Sequence, residues 1–181
     1  MYYHSSFTQV LSNPNLKPVE IVLLGGNISI QTHPGEEIYI TGENLSDENQ
    51  MPLLHEDKYS FRIDRHSLFN FILQKMKDKM SFKIFIPETC DVSILIRGGH
   101  INIKGKYGQF RARTDAGNIT ADLSDFSVKG QADLVVFAGE IKLVNGNSVG
   151  GEAKKGRKVS MKIGEEGSLK AKVSLGDVCM S

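Results

Sequence analysis

The sequence predicts an all-β chain, specifically a β-solenoid (single-stranded β-helix) of stacked short strands, and three observations predict it. Apolar residues alternate with polar ones in short bursts, the period-2 mark of strands with one buried face. One phrase recurs: a glycine, a polar or charged residue, Ile or Val, then another apolar residue two places on. It reads Gly26-Asn27-Ile28-Ser29-Ile30, Gly99-His100-Ile101-Asn102-Ile103, Gly117-Asn118-Ile119-Thr120-Ala121, Gly139-Glu140-Ile141-Lys142-Leu143 and Gly176-Asp177-Val178-Cys179-Met180. Its spacing is 18 residues from Gly99 to Gly117 and 22 from Gly117 to Gly139, with a second strand midway. That length suits one coil of two or three short strands. A β-sandwich is the alternative, since it also places strands every 8 to 12 or so residues, but it gives no reason for one phrase to repeat.

In chain order, residues 1–18 form an N-terminal extension and 19–181 a single domain. Val19-Glu20-Ile21-Val22-Leu23-Leu24, Asn27 to Ile30 and Ile38-Tyr39-Ile40 read as strands, with Pro34-Gly35 turning between the last two. A loop or helix insertion follows at about 43–80. Within it, Glu43 to Asp57 is polar and acidic and reads as a loop, and Tyr59/Phe61/Ile63 alternate as a strand. Ser67 then caps a short helix near 67–80, whose apolar stripe is Leu68, Phe69, Ile72, Leu73, Met76 and Met80. Lys75, Lys77 and Lys79 sit late in that helix, where its dipole favours cations. A long hairpin loop is the alternative. Either would cover an end or flank of the stack, where unpaired backbone is otherwise exposed.

Phe82/Ile84/Ile86 alternate next, and from Val92 onward the bursts come closely. They are Val92/Ile94/Ile96, Ile101/Ile103, Phe110/Ala112, Ile119/Ala121, Phe126/Val128, Leu134/Val136, Ile141/Leu143, Val159/Met161/Ile163, Leu169/Ala171/Val173 and Val178/Met180. The 37 residues from Gly139 to Gly176 read as two more units with a weaker copy at Lys158-Val159, so Ile101, Ile119, Ile141, Val159 and Val178 are expected to stack as one interior column.

Composition excludes several functions. With 181 residues, 40% apolar, 24% charged and a net charge of +1, the chain has no bulk attraction for nucleic acid or acidic membrane. Cys90 and Cys179 are too far apart for a metal knuckle or disulfide framework, and a reduced state is expected. No run approaches the ~18 apolar residues of a membrane helix, so no transmembrane segment is expected. The start, Met1-Tyr2-Tyr3-His4-Ser5-Ser6-Phe7, lacks the pattern of a secretory leader. A cytoplasmic location is therefore expected, or the cell envelope if a leader has been removed.

No catalytic, cofactor-binding or metal residues are expected. The histidines at 4, 33, 55, 66 and 100 form no ligand spacing. Gly151 to Lys158 has phosphate-loop glycines but lacks the Lys-Ser/Thr pair and leads into a strand, so it reads as a solvated turn. Asp115, Asp122, Asp125 and Asp133 could gather on one face and serve a carbohydrate. Charge is banded: residues 36–57 hold seven acids and no Lys or Arg, and 97–113 hold five basic residues and no acid. The basic band makes Arg97, His100, Lys104, Lys106, Arg111 and Arg113 the candidate interaction surface, unless neighbouring bands neutralise one another. Tyr107 and Phe110 lie in the band, but Phe110 fits a buried column better than a nucleic-acid stacking face, and nucleic acid is not the expected partner.

Phe82-Lys83-Ile84-Phe85-Ile86-Pro87, Gly99-His100-Ile101, Gly105-Lys106-Tyr107-Gly108, Thr114-Asp115-Ala116-Gly117-Asn118-Ile119 and Gly139-Glu140-Ile141 together resemble a widespread bacterial family of adhesin-like β-helix domains. A more distant similarity is to the head domains of auto-transporter adhesins. The resemblance spans about residues 19–181 and implies stacked short strands, an association with the cell envelope and no catalytic residues to carry over. The expected function is a non-enzymatic module whose flat faces or ends bind protein, a second copy or a surface polymer. The alternative is a carbohydrate- or ligand-binding β-helix using one outer face.

Overall fold

In the computed structural model, which describes residues 5–23, 25–45, 59–63, 81–144, 158–163 and 166–180, the alternating bursts are strands throughout. They are β1 (Ser5–Ser12), β2 (Val19–Leu23), β3 (Asn27–His33), β4 (Glu37–Leu45), β5 (Tyr59–Ile63), β6 (Ser81–Pro87), β7 (Val92–Gly98), β8 (Ile101–Lys104) and β9 (Lys106–Tyr107). Then follow β10 (Phe110–Ala116), β11 (Ile119–Asp122), β12 (Ser127–Val128), β13 (Gln131–Ala138), β14 (Ile141–Val144), β15 (Lys158–Ile163), β16 (Gly167–Leu175) and β17 (Val178–Met180). No helix occurs among the described residues, and the helix expected over 67–80 lies outside them.

Three sheets share these strands. The first runs β1-β4-β6-β3-β8-β11-β14-β17, the second β15-β16-β13-β10-β7-β2-β5, and a small third pairs β12 with β9. Between β7 and β14 the chain makes repeated circuits, crossing the second sheet, turning at a glycine into the first, and returning through the third. Successive circuits pair parallel and in register: Val92, Phe110, Ala132 and Leu169 are direct neighbours across β7, β10, β13 and β16. Ile28, Ile101, Ile119, Ile141 and Val178 are likewise neighbours across the first sheet. All five are fully buried, as the side-chain period of two requires when the same register position faces inward in every strand.

This corrects the expected column. Val159 lies in β15, which runs antiparallel at the margin of the second sheet with Val159 opposite Ala171. The column instead extends through Ile28 beside Ile101, and the interval from Gly139 to Gly176 holds one circuit, because Ile141 pairs directly with Val178. The excess length includes β15 and residues 145–157, the latter outside the described residues. The N-terminal extension also contributes structure: β1 pairs antiparallel with β4, through Val10 opposite Tyr39. Of the insertion, Glu43–Leu45 continue β4 and residues 59–63 form β5 beside β2; its remainder lies outside the described residues.

The corners explain the glycines. Gly99, Gly117, Gly139 and Gly176 have φ between 136° and 140°, a backbone region nearly confined to glycine. A Cβ at Gly117 would stand 1.8 Å from the carbonyl oxygen of Gly99, and one at Gly139 would stand 1.9 Å from that of Gly117. Glycine is therefore required twice over, by conformation and by the approach of the preceding corner. The interior behind the third side is filled by Tyr107, Phe110 and Phe126, whose ring centroids lie 4.6 to 5.7 Å apart. Edge-to-face contact suits the ring quadrupoles.

Candidate interaction surface

In three of the five corner phrases the polar member accepts a backbone hydrogen bond from the next circuit. Asn27 Oδ1 accepts the His100 N–H at 3.2 Å, His100 Nδ1 accepts the Asn118 N–H at 3.3 Å, and Asn118 Oδ1 accepts the Glu140 N–H at 2.9 Å. A side chain of suitable length with a lone pair is needed there, and Asn and His both supply one. His100, read from sequence as an outward-facing group, is half-buried in this ladder. Asp91 Oδ1 does the same for the Gln109 N–H at 2.7 Å, and Thr32 Oγ1 for the Lys106 N–H at 2.8 Å.

The other candidate residues are distributed over all three sheets. Arg97 on β7 and Arg113 on β10 converge on Asp115, at 3.7 and 3.3 Å. Arg111, on the same outer face, reaches Asp133 at 3.8 Å. Lys104 at the end of β8 meets Asp125 at 2.9 Å, and this hydrogen bond raises its pKa. Lys106 on β9 meets Glu88 at 3.6 Å. The structure thus joins Arg97 with Arg113 and places Arg111 on the same face, but it sets Lys104 and Lys106 on other sides. Each arginine and lysine of the band faces an acid, Arg113 the Asp115 of its own strand and the others one from a neighbouring segment. Such exposed pairs contribute only about 0.2–1 kcal/mol each, but with four carboxylates beside five cations they offset most of the band's charge.

The four aspartates do not assemble either. Asp115 and Asp133 lie on the second sheet with the arginines, Asp122 at the end of β11 accepts from Ser124 Oγ at 2.7 Å, and Asp125 lies in the following turn beside Lys104. Among the described residues, no group of three or more His, Cys, Asp and Glu side chains converges as a metal site. Nor is any helix there long and apolar enough to cross a membrane.

What sequence reading missed is a groove of about 440 Å³ across the starts of β2, β7, β10 and β13. Glu20, Ser93, Gln109, Arg111, Gln131 and Asp133 line it. Gln131 Nε2 donates to Asp133 Oδ1 at 2.6 Å, so one end of the groove is a fixed amide–carboxylate–guanidinium set. These residues come from four separate strands, and only the in-register stacking brings them together. No protein-family model matches the chain, and no curated protein matches it.

Proposed function

We propose that this chain is a β-solenoid interaction module, adhesin-like in form, which acts without catalysis by presenting strand faces and an open end to a protein or to a second copy. The observation that carries this reading is the use of polar groups at the corners and turns: Asn27, His100, Asn118, Asp91 and Thr32 bind the backbone of an adjacent segment. Chemistry-bearing side chains so committed leave a scaffold whose free features are its surfaces and its end. β17 ends its sheet, and no described strand pairs with its outer edge. An unpaired parallel edge is a template for another strand.

Light scattering across a wide concentration range tests the self-association. The expected result is a mass that rises with concentration and that Val178→Pro returns to monomer, since the proline removes an edge N–H while preserving an apolar side chain. A monomer at all concentrations overturns it. A second reading is favoured by the groove alone: its amide and charged lining suits the hydroxyls of a saccharide. Glycan-array binding that Gln131→Ala and Asp133→Ala abolish is the expected outcome, and an array with no signal removes this reading.

A further inference from the structure

We propose that the outer face of the β15–β16 hairpin docks on an anionic lipid bilayer, a partner beyond the protein and self-association reading above. The alternation that buries Val159, Ile163, Leu169, Ala171 and Val173 turns Lys158, Ser160, Lys162, Ser168, Lys170 and Lys172 to the opposite face. Antiparallel register sets Lys158 against Lys172, Ser160 against Lys170 and Lys162 against Ser168. The result is a two-stranded surface of four exposed lysines and two serines without an acid. Like charges directly opposite destabilise a sheet.

These lysines differ from the basic band between Arg97 and Arg113. Arg97, Lys104, Lys106, Arg111 and Arg113 each face a carboxylate, whereas none of the four makes an ion pair with a described residue. The acid on the adjoining strand, Asp133 beside Lys170, is held by Arg111 and Gln131. Glu166 lies in the turn before β16. Lysine on β15 can be explained as protection of an edge strand, but β16 lies inside the sheet and carries two of the four.

Exposed apolar groups decide the kind of anion. Phe137 on β13 and Leu175 at the end of β16 are the most exposed of the large apolar side chains described, at 53% and 58%. Val135 pairs with Lys172, so Phe137, two residues on and of the same outward parity, lies beside the lysine face, whereas Leu175 has the parity of Ala171 and Val173 and sits at the corner that ends β16. A soluble polyanion would need the lysines and leave Phe137 in water. An acidic bilayer engages both, by attracting lysines at its surface and accepting Phe137 at the headgroup boundary.

The test is co-sedimentation of the full chain with vesicles of phosphatidylcholine alone or mixed with phosphatidylserine, at low and physiological salt. Binding is expected only with phosphatidylserine, weakening as salt rises. Reversing two lysines in Lys158→Glu/Lys172→Glu should lower affinity by at least about tenfold, while Lys142→Glu on the first sheet should leave it unchanged. Phe137→Ser should weaken binding with the salt dependence retained. Circular dichroism confirms that each variant is folded. The proposal is overturned by failure to bind phosphatidylserine vesicles, by equal losses in the Lys142 and Lys158/Lys172 variants, or by lysine-dependent capture of inorganic polyphosphate without vesicle binding.

Discussion

At Gly117 a single hydrogen in place of a side chain decides whether two circuits can approach. Gly117→Val combines a φ of 140° with a Cβ placed 1.8 Å from the Gly99 carbonyl oxygen, neither of which a rotamer change relieves. The strained backbone alone costs about 1–3 kcal/mol, and with the overlap a loss above about 3 kcal/mol is expected in urea unfolding. Thr114 predicts the opposite sign. It occupies an interior column with Ile96, Val136 and Val173, and its buried Oγ1 has no hydrogen-bond partner among the described residues. Thr114→Val should raise stability by about 1 kcal/mol, read as a higher urea midpoint at unchanged m. Cys90 adds a pH dependence: burial, aided by Asp91 and opposed by the Asn13 amide, pushes its thiol from an ordinary value of 9.0 up to about 11. The unfolded thiol ionises first, so this contribution is complete below about pH 9 and declines between about pH 9 and 11. Buried Tyr107, also raised, acts in the same direction from higher pH. Denaturant titrations should show Cys90→Ala declining less than the parent over that window. At this scale the glycines were legible because their requirement repeats. His100 was read as a surface group because a sequence does not reveal that the next Asn118 N–H arrives beside its ring.

At the scale of the element, the long strands followed from alternation and β12 was marked by Phe126/Val128, while β9, two residues long, has no period to detect. β9 and β12 pair where Tyr107, Phe110 and Phe126 fill the space behind them and hold the third side against the other two. Phe126→Ala should therefore cost about 3–5 kcal/mol, with Phe126→Leu recovering part of it. A change near zero in thermal and denaturant unfolding would mean that the third side closes without its aromatic filling. The misplacement of Val159 has a related cause. Its alternation marks a strand facing a core, but alternation is blind to direction, and β15 returns antiparallel beside β16. Nothing within the residues 158–163 distinguishes that edge role from one more stacked circuit. The groove was equally hidden, because Glu20, Ser93, Arg111 and Asp133 share a row only through register.

For the molecule as a whole, the banded charge was visible in sequence, but its consequence depended on which bands became neighbours. Stacking set Arg111 against Asp133 and Arg97 against Asp115, leaving the β15–β16 lysines as the cationic face. The same nearest-neighbour logic makes the architecture testable by subtraction. If each circuit contacts only the one before and the one after, an internal circuit can be removed and the flanking ones joined. Deleting residues 117–138 connects Ala116 to Gly139, which then takes the corner over Gly99 that Gly117 held. Glu140 N–H meets His100 Nδ1 as Asn118 N–H did, and β10 takes the place of β13 beside β16. Losing Phe126 and the Asp125 and Asp133 ion pairs lowers stability without interrupting either long sheet. The expected product is shorter, folded and cooperative in thermal unfolding, with a strand-rich circular dichroism spectrum. Deleting residues 119–131 instead removes β11 and β12 and leaves β10 and β13 with no return path, so that variant should be unfolded. Were both deletions unfolded, the circuits would be interdependent in the manner of a sandwich core, and the solenoid reading would be withdrawn.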